Sequence, residues 1–184
     1  MYAKPGHSPV KFTMLDTELG RVVLFARNRH LSRLDLLPQS AREIRKRIDA
    51  EFPGAVESPG HFKAVSALLD LYFRGEPVEF DDVPVDLEGM GSFTALVLGE
   101  TRKIGYGKVA SYGTIASALG KTKAARAVGQ ALGRNRIPLI IPCHRVIKGD
   151  GSLGGFGLGV EVKARLLARE GVSVPVPRTS MIPS

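Results

Sequence analysis

The chain has 184 residues, 43% of them apolar and 24% charged, with one cysteine and a formal net charge of +8. That length can bury a core for one domain or two small ones, while a lone cysteine excludes an internal disulfide. No apolar run reaches the length of a membrane helix or has the pattern of a signal peptide, so a cytoplasmic protein with a free thiol is expected.

Charge is divided unevenly. Residues 1–90 hold 12 Lys and Arg against 14 Asp and Glu, whereas residues 91–184 hold 14 against 4. The basic excess therefore lies wholly in the second half. That suits a polyanionic partner, although a solvated basic surface has the same composition. The histidines, His7, His30, His61 and His144, are scattered without metal-ligand spacing, and no metal is expected.

From Val10, the segments VKFTML, GRVVLFA and HLSRLDLL read as an antiparallel meander with turns at DTELG and RNR. Ala41, Ile44 and Ile48 recur at helical spacing behind the cap candidate Ser40. Phe62, Val65, Leu69, Tyr72 and Phe73 mark a second helix ending at Gly75. Residues 75–89, acidic and proline-containing, have no helical period and read as a linker. We expect an N-terminal α/β domain over 1–85, a second domain over 86–173 and a flexible tail over 174–184.

The second domain starts with a helix from about Ser92 to Lys103. Tyr112, Ile115 and Leu119 share a face of the next helix, Gly120 breaks it, and Ala125, Val128 and Leu132 share a face of the one after. This is the pattern of a helix-turn-helix, but on spacing alone it is more commonly that of an ordinary helical hairpin. Lys123, Arg126 and Gln130 lie opposite the apolar stripe, beside the small residues Ala127 and Gly129. Such a face can approach a nucleic-acid backbone closely.

Cys143 follows the apolar run PLII and precedes His144 and Arg145. A free cysteine in that setting is commonly a small buried hydrophobe. His144 as proton acceptor and Arg145 as nearby charge would instead favour the thiolate. On an extended strand the two neighbours point to opposite faces, which leaves a water or a bend to connect them. Residues 159–171 read as a helix with Val162, Leu166 and Leu167 on its apolar face. Glu170 falls on that side, either buried as a partner for His144 or frayed in solvent at the helix end.

IIPCHRVI, together with ASYGTIASALG and KAARAVGQALGRN upstream and GGFGLGVEVKARLLAREG downstream, resembles the O6-alkylguanine-DNA alkyltransferases, the methylated-DNA–protein-cysteine methyltransferases. The resemblance runs in register from about Phe93 to Gly171. It implies an α/β (α+β) fold with a small N-terminal antiparallel sheet and helices, ribonuclease H-like. A mostly helical, winged helix-turn-helix-like C-terminal domain would carry the active site. The activity implied is flipping O6-alkylguanine out of duplex DNA and moving the alkyl group once, irreversibly, onto Cys143. No cofactor, membrane or obligatory protein partner is implied, and a monomer is expected.

By the same resemblance, His144 is the water-mediated base, Glu170 orients it, and Asn135 holds the cysteine and histidine. Tyr112 contacts N3 of the extruded guanine and Arg126 fills the vacated stack. The carbonyls of Cys143 and Val146 accept from the exocyclic amine, and the Gly157 amide donates to O6. The helix-turn-helix enters the minor groove, where Ala127 and Gly129 permit close approach. Lys123 and Arg134 are phosphate candidates on position alone.

Two departures stand out. Phe156 occupies a position where a tyrosine is common in the family, and the cysteines that bind zinc in some relatives are missing. Leu158 interrupts a small-residue loop and is a candidate size filter for the alkyl group, or alternatively packs on the last helix. A cysteine peptidase would share the Cys-His pair but would turn over repeatedly. A non-catalytic recognition or regulatory protein would use the basic half without needing Cys143.

Overall fold

The structure, a computed structural model, describes residues 9–174; the expected tail lies beyond these residues except for Val174. β1 (Lys11–Thr17), β2 (Gly20–Arg27) and β3 (His30–Leu37) form the antiparallel meander, and Asn28 turns β2 into β3 with a φ of 55°. Asparagine tolerates that left-handed conformation better than most residues. β2 is central, and Val22 through Ala26 are buried on both faces. Its apolar run is therefore continuous rather than alternating. β4 (Val56–Glu57) adds a parallel edge beside β1, giving the order β3-β2-β1-β4. Two residues are too few to leave a period in the sequence.

α1 (Ala41–Glu51) starts at a reciprocal capping box between Ser40 and Glu43. It packs Ile44 and Ile48 on the sheet face that presents Phe12, Val23 and Phe25. The opposite face presents Val22, Leu24 and Leu34 to α2 (Lys63–Phe73), through Leu69 and Tyr72. That second cluster continues without a break into the C-terminal half, taking in Val97, Leu98, Val128, Ile140 and Leu166.

The stretch 75–89, which reads as a linker, has no regular element but is anchored to the core at several points. Val78, Phe80 and Val83 are buried, Val85 bridges to Leu31, and Arg102 donates to the carbonyls of Phe80, Asp81 and Val83 at 2.8, 2.8 and 2.9 Å.

The C-terminal half holds α3 (Ser92–Arg102), α4 (Tyr112–Ala118), α5 (Ala125–Leu132) and α6 (Val160–Arg169). Ser111 caps α4 by accepting from the Thr114 amide, and Gly120, at φ 69°, turns the chain toward α5. α4 and α5 make the helix-turn-helix. β5 (Ala110–Ser111) pairs in parallel with β6 (Val146–Ile147), which fixes the start of α4 beside the segment carrying Cys143. Among the described residues, no helix is long and apolar enough to cross a membrane.

Candidate active site

The run leading to Cys143 is a turn, not a strand. Leu139 takes a φ of 71°, and the Ile141 amide returns to the Ile137 carbonyl at 2.9 Å. A bulky residue in that left-handed region is strained, and surrounding contacts must hold it there. Asn135 does so: its Oδ1 accepts from the Ile137 amide at 3.0 Å, and its Nδ2 donates to the Ile141 carbonyl at 2.9 Å. The same Nδ2 reaches Cys143 Sγ at 3.0 Å. Residues Cys143–Arg145 then form one 3-10 turn, so Cys143 and His144 do not sit on an extended strand.

Cys143 lies on a cleft of about 360 Å³. Asn135, Phe156, Gly157 and Leu158 share that cleft, so Leu158 stands at the cleft wall. Leu132, Gly133, Arg136 and Pro138 line it too, and β3 of the N-terminal half adds Arg33, Leu34 and Asp35. The Leu34 amide donates to the Arg136 carbonyl at 2.8 Å, pinning the two halves together at the rim.

Behind the cysteine lies a buried network. His144 is fully buried, and its Nε2 meets Glu170 Oε1 at 2.7 Å. Glu170 caps α6 and is buried, which removes the frayed-end alternative. Arg145 donates to both of its oxygens, Nε to Oε2 at 2.8 Å and Nη2 to Oε1 at 3.2 Å. Arg145 therefore serves Glu170 and not the sulfur, contrary to its expected role of favouring the thiolate.

Burial pushes the Glu170 carboxyl up, but hydrogen bonds and charge from His144 and Arg145 outweigh it and hold the pKa at about 2. With Glu170 ionised, the His144 Nε2–H donates to it, and in the neutral ring Nδ1 keeps the lone pair. Nδ1 is buried and has no hydrogen-bond partner among the described residues. Burial lowers the His144 pKa against the pull of Glu170. Burial also raises the Cys143 thiol, opposed by Asn135, by the Lys163 charge and by the amides of Cys143 and His144. Burial thus works against charge on both the thiol and the imidazole.

Lys163 was missed by the sequence reading. It is fully buried on α6, and its ammonium donates to the carbonyls of Val146 and Leu153, both at 2.5 Å. Burial lowers its pKa to about 8. The periodicity contains the signal, because Lys163 precedes Leu166, Leu167 and Glu170 by three, four and seven residues on one face. The Val146 carbonyl is therefore already occupied once, leaving one lone pair for a ligand. Tyr112 is half-buried, with its hydroxyl 3.5 Å from the Gly155 carbonyl and its ring 6.0 Å from the Lys163 ammonium. It stands beside the glycine-rich loop and does not line the cleft itself.

The helix-turn-helix presents its expected face. Lys123, Arg126 and Arg134 are exposed, while Ala127 and Gly129 are half-buried. A β-carbon at position 129 would stand 3.6 Å from the Tyr112 ring, an ordinary contact, so α5 packs beside that tyrosine.

Two family models match the chain. The ribonuclease-like domain of 6-O-methylguanine DNA methyltransferase covers residues 10–87, and the DNA binding domain of 6-O-methylguanine DNA methyltransferase covers 92–172. A methylated-DNA–protein-cysteine methyltransferase of Mycolicibacterium paratuberculosis is 37% identical over 88% of this chain and 92% of its own length. One from Metallosphaera sedula is 48% identical over 59% of this chain and 67% of its own. Among solved structures, Mycobacterium tuberculosis OGT in complex with DNA matches with a TM-score of 0.74 and 38% identity, covering 87% of this chain and 92% of that one.

Proposed function

The chain belongs to the O6-methylguanine DNA methyltransferase family, and from that membership we propose that it carries out the family's alkyl transfer with Cys143 as acceptor. It is a DNA repair protein that takes the alkyl group of O6-alkylguanine in DNA onto its own cysteine, one turnover per molecule. In this reading residues 1–85 form the supporting unit and residues 86–173 bind DNA and react. The thiol stays free in a reducing cytoplasm.

The extruded base enters the cleft at Cys143. The carbonyls of Cys143 and Val146 and the Gly157 amide hold its edge, with Phe156 as an apolar wall, and Tyr112 reaches N3 from beside the glycine-rich loop, outside the cleft lining. Arg126 occupies the gap left in the duplex. His144 Nδ1 takes the thiol proton through one water, and Glu170 stabilises the imidazolium that results. The sulfur then attacks the alkyl carbon. The S–C bond forms as the C–O6 bond breaks, the bonding pair passes into the purine, and a proton taken up there restores guanine. The thiol supplies both electrons of the new bond, so no cofactor enters the balance.

The observation that carries this reading is the sequence of contacts from the cleft inward: Asn135 on the sulfur at 3.0 Å, and Glu170 on His144 at 2.7 Å. Peptide mass spectrometry after incubation with a duplex containing O6-methylguanine tests it. A methyl group on the peptide bearing Cys143 is expected. An unmodified cysteine in protein that still binds the duplex would make this a recognition protein instead.

A further inference from the structure

Glu170 is reached from both halves of the chain. Its Oε1, the oxygen that meets His144, also accepts from the Tyr72 hydroxyl at 2.9 Å across 98 residues of sequence. Tyr72 lies on α2 and is fully buried. Its ring packs against Phe80 and edge-on against Tyr106, with centroids 5.9 and 6.2 Å away. Burial and the Glu170 charge push the phenol pKa far up, so Tyr72 is a permanent donor to that oxygen.

We propose that Tyr72 is a positioning residue through which the N-terminal half sets how much negative charge Glu170 presents to His144. This rests on the reading that Cys143 reacts through His144. The orientation of the carboxylate does not need Tyr72, because Arg145 binds both oxygens and the Gly107 amide reaches Oε2 at 3.3 Å. What Tyr72 adds is electrostatic. A donor on the oxygen used by His144 draws charge from it, which weakens its hold on the ring N–H and lowers the ring's affinity for a second proton. The other groups bearing on the pair are Arg145, Lys163, Tyr106 and Glu79, the last 3.8 Å from Arg145, and all of them are retained when position 72 is changed.

The test is single-turnover transfer from an O6-methylguanine duplex as a function of pH. It compares the full-length wild-type protein, Tyr72→Phe, and protein with 3,5-difluorotyrosine at position 72. Protonated His144 cannot act as base, so the acid limb of the profile reports its proton affinity. Tyr72→Phe should move that limb up by about half to one pH unit, the scale of one lost charge-assisted hydrogen bond partly relayed. The fluorinated phenol is a stronger donor of nearly the same size and should move it down, which keeps the test open if the Phe variant folds poorly. Neither shift should appear in a Glu170→Gln background, and DNA affinity should not change. Unmoved limbs, or limbs moving in the same direction, in protein that does transfer methyl would overturn the role of Tyr72 alone. Wild-type protein that binds the duplex and leaves Cys143 unmethylated would overturn the underlying reading as well.

Discussion

Replacing Glu170 with Gln removes a buried charge whose partners stay behind. The folded carboxyl sits at about 2, against ~4.3 for a free glutamate, a difference equivalent to roughly 3 kcal/mol of stability at neutral pH. Gln cannot neutralise Arg145, which is only 2% exposed, and breaking a buried pair typically costs ~3–5 kcal/mol. We therefore expect Glu170→Gln to lose about 3 kcal/mol in urea unfolding at pH 7. The pH dependence gives the sign. A depressed carboxylate contributes fully above its unfolded pKa and loses that contribution as pH falls through the folded value. The gap between wild type and variant should hold from pH 7 to about 5 and close between about 4 and 2. Unfolding midpoints at stepped pH measure it. A gap under about 1 kcal/mol at pH 7, or one that stays constant to pH 2.5, would refute the reasoning that this carboxylate is a stabilising buried anion.

Arg126→Ala should slow repair of duplex DNA far more than reaction with free O6-benzylguanine, since only the duplex leaves a gap to fill; equal slowing in the two rate assays would remove its role in extrusion. If Lys123 and Arg134 each meet a phosphate, together they should contribute about −1.8 to the slope of log affinity against log salt, and Lys123→Ala should make the measured slope shallower by about 0.9. An unchanged slope would take Lys123 off the backbone. Leu158→Gly should speed transfer from O6-benzylguanine by ~5- to 150-fold, the equivalent of relieving ~1–3 kcal/mol of crowding, and leave O6-methylguanine nearly unaffected. Parallel changes in the two rates would mean that Leu158 is not a size filter.

The elements with a strong period were legible. The meander, α1 behind Ser40 and the α4–α5 pair around Gly120 all follow from apolar spacing and turn residues. β4 was not, being two residues held by a long-range pairing. At the site, PCHRV marks the cysteine and its neighbours, and the spacing of α6 puts Glu170 on the buried face. The destination of Arg145 was beyond such reading, because a guanidinium two residues after a cysteine turns inward to a helix end 25 residues away. Lys163 was hidden by the habit of reading lysine as solvated. Tyr72 looked like one more core aromatic, since its hydroxyl partner lies in the other half of the chain.

The packed stretch 75–89 bears on how the molecule can be cut. Its acidic, proline-containing composition invites a protease or a protein engineer to treat it as a hinge. Yet one arginine, Arg102, rivets three of its carbonyls, and three of its apolar side chains sit in the same core as the helix-turn-helix. Scission there would tear open a shared interior, so the halves should melt together in one transition rather than as separable modules. The slack is confined to the last two residues of the stretch, where Glu88 and Gly89 are exposed and a side chain at position 89 would meet nothing within 4 Å. A swap of DNA-reading halves between relatives would be spliced there, and even then the graft would have to match the incoming partner of Tyr72.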